Sequence, residues 1–137
     1  MKVKLSEIID AIEMTDRESE YFLDKQTGEI VWINEIAMER EEWEEACDTL
    51  DEHGFYRLPT SFDINEYSIM EDFVYSLPKS QCERLARAIS GRGAFRRFKG
   101  SIRQMGIEEQ WYEYQGDAYK RMAIKWCEEN EIEYEEN

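Results

Sequence analysis

Within one short stretch the chain gathers Gly91, Arg92, Gly93, Arg96, Arg97, Lys99 and Arg103. Glycines that allow close backbone approach, free N–H groups at a helix start and forked guanidinium donors can together hold a phosphate, a nucleotide or a carboxylate. Trp111 and Tyr112 follow soon after and are candidates for an adjoining aromatic wall. The same residues also suit a purely structural role, with a glycine ending one helix and arginines paired to carboxylates elsewhere in the fold. The segment is not a Walker loop, because no Gly-Lys-Ser/Thr follows the required four-residue gap. Nor is it a dinucleotide fingerprint, since Arg96 stands where the third glycine belongs.

Charge limits what such a site can recognise. The 137 residues carry 32 acids against 17 Lys plus Arg, a net −15. Residues 79–103 nevertheless hold eight bases and one acid, so a +7 island sits in a chain whose remainder carries −22. A local positive patch can clasp an anion, whereas attraction of a polyanion depends on the field of the whole molecule. The net charge therefore disfavours nucleic acid as a partner. An anionic small ligand or an anionic group on a protein partner fits better.

Common catalytic routes fail by residue type. A Ser-His-Asp or Cys-His arrangement would have to use His53, the only histidine, and no Gly-x-Ser-x-Gly elbow is present. His53 before Gly54 suits a helix end, where the dipole favours it. Cys47, Cys82 and Cys127 are far apart and form no Cys-x-x-Cys pair, which argues against a zinc site or a disulfide framework. Asp24 to Glu35 lacks the alternating oxygen ligands of a calcium loop. A carboxylate pair for glycoside cleavage stays open, because its separation is a three-dimensional quantity, but nothing marks a pair, and no catalytic residue, metal or cofactor is named.

The elements that must position these residues follow from apolar spacing. Leu5, Ile8, Ile9 and Ile12 predict a helix to about Met14 behind a Ser6 cap. Tyr21–Asp24 and Ile30–Ile33 predict a hairpin around Gly28 at positive φ. Glu35 to Glu52 reads as an acidic helix packed through Trp43, Cys47 and Leu50. Asp63 with Glu66 reads as a capping box, with Phe62 and Tyr67 as a staple, ahead of a core helix through Ile69, Met70, Phe73, Val74 and Leu77. Ser80 with Glu83 reads as the next box, ahead of Cys82, Leu85, Ala86 and Ile89.

A further helix from about Gly93 places Phe95, Phe98, Ile102 and Met105 on one side. These two helices and a three-residue glycine turn also have the lengths of a helix-turn-helix DNA reader. Trp111–Tyr114 reads as a short strand or aromatic turn, and Asp117 as the cap of a last helix through Trp126. The acidic tail from residue 127 to 137 is either frayed or, through Ile132 and Tyr134, an edge strand.

Gly91-Arg92-Gly93-Ala94-Phe95-Arg96-Arg97-Phe98-Lys99, then Gly106-Ile107, Trp111-Tyr112 and Ile124 to Asn130, together with Tyr21–Asp24 and Thr27–Val31, resemble the bacterial uncharacterised protein family 0158. The resemblance spans nearly the whole chain, with the Arg-Phe segment its most specific part. It implies a single-domain protein and brings no activity or catalytic residue with it.

The expectation is a mostly helical α+β protein, one domain over 1–137 with an N-terminal β-hairpin, acting as a non-enzymatic binding or regulatory protein. With no apolar run near the roughly 18 residues of a membrane span and no signal-peptide block, a cytoplasmic location is expected. Arg92, Gly93, Arg96, Arg97, Lys99 and Arg103 form the expected anion site. An alternative is an acidic decoy, in which Glu39 to Glu52 imitates phosphate towards a basic nucleic-acid-binding protein.

Overall fold

The computed structural model describes residues 1–136. In chain order the elements are β1 (Lys2–Lys4), α1 (Leu5–Met14), β2 (Glu20–Asp24), β3 (Ile30–Ile33), α2 (Arg40–His53), β4 (Phe55–Arg57), α3 (Ser61–Ile64), α4 (Glu66–Ser76), α5 (Lys79–Ala88), α6 (Ala94–Gln104), α7 (Glu108–Glu129) and β5 (Glu133–Glu135). The protein is α+β and mostly helical. No helix among the described residues is long and apolar enough to cross a membrane. The chain forms two compact units, one of residues 1–64 with the chain from Tyr119 onward and one of Asn65–Ala118.

In the first unit the hairpin forms where the alternating apolar residues place it. β2 and β3 pair antiparallel in the register Tyr21↔Trp32 and Leu23↔Ile30, with β4 on the other side of β2. Asp24 organises the hairpin loop: its Oδ1 accepts from the Gln26 and Thr27 amides at 2.8 and 3.0 Å, and Gly28 turns the chain at φ 76°. The buried Asp24 also meets Nδ1 of His53, at the end of α2, at 2.7 Å. The acidic helix starts at Arg40 rather than Glu35, because Asn34 Oδ1 accepts from the Ile36 and Ala37 amides and holds that stretch in a turn. Leu50 is its buried residue, while Trp43 and Cys47 are half-buried.

The tail takes the edge-strand alternative, with β5 running parallel to β1 in the register Lys2↔Glu133 and Lys4↔Glu135. Trp126 is buried and donates its indole N–H to the Arg57 carbonyl at 2.8 Å. Burial, and after it the neighbouring Glu128, pushes the Cys127 thiol up to about 11, which leaves it a core residue without reactivity.

In the second unit α4, α5, α6 and the first part of α7 close on an aromatic cluster. Phe73, Phe98 and Trp111 meet edge to face, with ring centroids 4.9 to 6.1 Å apart. Ile69, Met70, Val74, Leu85, Ile89, Ala94, Ile102, Ile107 and Ala118 complete the buried apolar set of this unit.

Several expected helix starts are corrected. Ser6 lies inside α1, whose N-cap is Lys4. The capping box near residue 63 is real but one frame earlier: Asp63 Oδ2 accepts from the Thr60 amide at 3.0 Å, and the Asp63 amide donates back to Thr60 Oγ1 at 3.3 Å. The cap of α4 is Asn65 instead, in the left-handed region at φ 49°, with its side chain accepting from the Ser68 amide. Phe62 stays 91% exposed. Pro78 takes the N-cap of α5 and places Ser80 within the helix. The buried line of α6 is Ala94, Phe98 and Ile102, so Phe95 projects outward. Trp111–Tyr114 is neither strand nor turn, and Asp117 caps nothing, because α7 runs unbroken through Gly116.

Candidate functional site

The link between α5 and α6 is five residues long, not three, and contains two positive-φ glycines, Gly91 at 77° and Gly93 at 79°. Arg97 holds it together. Its Nε donates to the Ala88 carbonyl at 2.9 Å, Nη2 to the Ser90 carbonyl at 2.6 Å, and Nη1 to the Arg92 carbonyl. One guanidinium thereby satisfies three carbonyls around the end of α5, where carbonyls lack helical partners. Gly93 is required twice over: a side chain is strained at its φ, and an added Cβ would stand 3.0 Å from Arg97 Nη1. Arg97 is therefore occupied by its own backbone.

The other expected site residues divide by their contacts. Arg103 pairs with Glu108 at 3.3 Å, and the neighbouring Arg84 donates to Gln104 at 3.0 Å. Arg92, Arg96 and Lys99 are exposed, and among the described residues none of their side chains has an ion pair or hydrogen bond. Arg87 on α5, outside the expected set although in the same run of bases, shares that condition. Trp111 is a correction: only 2% exposed and packed on Phe73 and Phe98, it is core and offers no wall. Tyr112, next to it on α7, is exposed. An exposed aromatic pair missed from the sequence adjoins the turn. Phe95 meets Tyr67 edge to face at 6.3 Å, and the Tyr67 hydroxyl donates to the Ile89 carbonyl at 2.7 Å. Its signal was the spacing of Ala94, Phe98 and Ile102, which places Phe95 off the buried line.

The net charge follows the two units. Asn65–Ala118 contains eight acids and eight bases, so it is neutral, and the whole −15 belongs to the other unit. Among the described residues no group of three or more His, Cys, Asp or Glu converges as a metal site would require.

Comparison with known proteins agrees with the resemblance read from the sequence. A Pseudomonas aeruginosa protein named for family UPF0158 is 28% identical over 120 residues, covering 83% of this chain and 74% of the relative. No solved structure matches the chain. The uncharacterised protein family UPF0158 matches residues 1–137, end to end, and the chain belongs to that family.

Proposed function

We propose that the protein is a non-catalytic binding protein that recognises an anionic group, on a small ligand or a protein partner, through Arg92, Arg96 and Lys99 beside the start of α6. One observation carries this reading: in a chain with 32 acids for 17 bases, these three cations have no carboxylate partner among the described residues. Acids are not scarce, so the separation is a matter of placement. The first amides of α6 add N–H groups that a helix leaves without internal acceptors. Arg97, one of the residues expected in the site, acts here as the brace that shapes the turn.

The test is a titration with inorganic phosphate followed by amide NMR shifts. Shifts should concentrate at Gly93–Arg96 and vanish in the triple variant R92A/R96A/K99A, with the spectrum otherwise intact. Shifts absent from that turn, or unchanged in the triple variant, would overturn the reading.

The charge distribution favours a second reading, the acidic decoy. Glu41, Glu42, Glu44, Glu45, Asp48, Asp51 and Glu52 are all exposed on α2. Capture of basic nucleic-acid-binding proteins that fades steeply with salt supports that reading, and capture indifferent to salt refutes it.

A further inference from the structure

The first unit contains a cleft of about 980 Å³ between α1 and one face of the hairpin, at the upper end of the size range of small-molecule sites. The register puts Tyr21, Leu23, Ile30 and Trp32 on that face, and Leu23 goes to the core. Tyr21, Ile30 and Trp32 line the cleft, with Met14 contributed by α1. Trp32 is 42% exposed and Met14 69%, so two large apolar side chains are left towards water.

The tryptophan is held in place. Its Nε1 donates to Ser19 Oγ at 2.9 Å, and Asn34 Nδ2 reaches the same oxygen at 3.3 Å. Ser19 and Asn34 are buried at 4% and 8% exposure, and Asn34 Oδ1 is itself fixed by two backbone amides. The indole edge is thus anchored by a buried polar chain, which is the preorganisation a binding wall needs.

The charges around this wall have one sign. Glu7, Asp10, Asp16 and Glu29 line the cleft, and no Lys or Arg does. None of the four has an ion-pair partner among the described residues. Burial, and after it the charge of Asp16, holds the Tyr21 phenol above its ordinary range, so it stays neutral. The carboxylates do not converge as metal ligands would. Four separated negative charges around an aromatic and aliphatic wall match an occupant that has a positive charge and an apolar body.

We propose that this cleft binds a small organic ammonium ion, its hydrocarbon body against Trp32, Ile30 and Met14 and its charge towards the carboxylates of Glu7, Asp10, Asp16 and Glu29. Cation–π attraction to the indole and long-range attraction to the acids would then act together. No residue lining this cleft belongs to the cationic turn, and the two proposals stand or fall independently.

The experiment titrates the full chain with benzyltrimethylammonium and follows the Trp32 indole N–H resonance by NMR, with benzyl alcohol and benzoate as neutral and anionic controls. Saturable shifts of Trp32 with the ammonium alone are expected. W32A, followed through the backbone amide shifts of Tyr21 and Ile30, which line the same cleft, should weaken binding by about tenfold or more. Because W32A removes a hydrogen-bonded ring, the exposed-site pair E7Q/D10N serves as the second variant and should weaken binding several-fold without loss of helical circular dichroism. An unmoved Trp32 resonance, equal binding of benzoate or benzyl alcohol, or unchanged affinity in E7Q/D10N would each overturn the proposal. Phosphate shifts at Gly93–Arg96 report on the other site and bear on neither outcome.

Discussion

Arg97 shows how far a side chain's type is from its role. It carries the charge expected of an anion site, yet three backbone carbonyls take up its donors. R97A should therefore lower stability by about 1–3 kcal/mol, whereas R92A should change it by less than about 0.5 kcal/mol. Urea unfolding of the two variants checks this, and equal midpoints would contradict it.

Asp24 provides a pH-dependent case. Burial alone would raise its carboxyl, but hydrogen bonds from His53, Thr27 and Gln26, together with the His53 charge, outweigh burial and hold it below the ordinary carboxylate value. A carboxyl that is more acidic folded than unfolded contributes stability fully present above its unfolded pKa, about 3.9, and lost as pH falls through the lower folded value. Acid titration of unfolding free energy should thus show a steeper loss below about pH 4 in the wild type than in D24N. Parallel curves would rule out this linkage.

At the scale of elements, α7 is the instructive case. Trp111, Ala118, Ala123 and Trp126 keep helical spacing through Gly116-Asp117, a pair whose chemistry reads locally as a break. A mid-helix glycine costs about 1 kcal/mol, a penalty that buried residues on each side of it outweigh. Since an added Cβ at Gly116 meets nothing within 4 Å, G116A should raise stability by about 0.5–1 kcal/mol. A lowered urea midpoint would show that the helix is not continuous there. The three-residue strands β1 and β4 illustrate the opposite limit. They are too short to carry a period, and only pairing with β5 and β2 makes them strands.

At the scale of the whole molecule, charge is the organising quantity. A neutral unit rich in arginine and a unit with the entire −15 should respond differently to salt, because only the second suffers net self-repulsion. Added sodium chloride should increase amide-exchange protection in residues 1–64 more than in Asn65–Ala118. Equal gains would indicate that the repulsion is not confined to the acidic unit.

The sequence by itself determined the mostly helical α+β class, the β2–β3 hairpin with Gly28 at its turn, the apolar stripe of α4, the family and the cationic run of residues 79–103. These are properties of local spacing, turn chemistry and composition, which a linear reading can see. Which arginines stay free, the burial of Trp111, the shift of the caps to Thr60 and Asn65, and the acid-rimmed cleft beside Trp32 were decided by tertiary structure. The reason is physical: a guanidinium binds whichever acceptor lies within reach, and a side chain's exposure depends on what packs over it. Reach and packing are set by residues distant in the chain, as Trp32 and Ser19, thirteen positions apart, show.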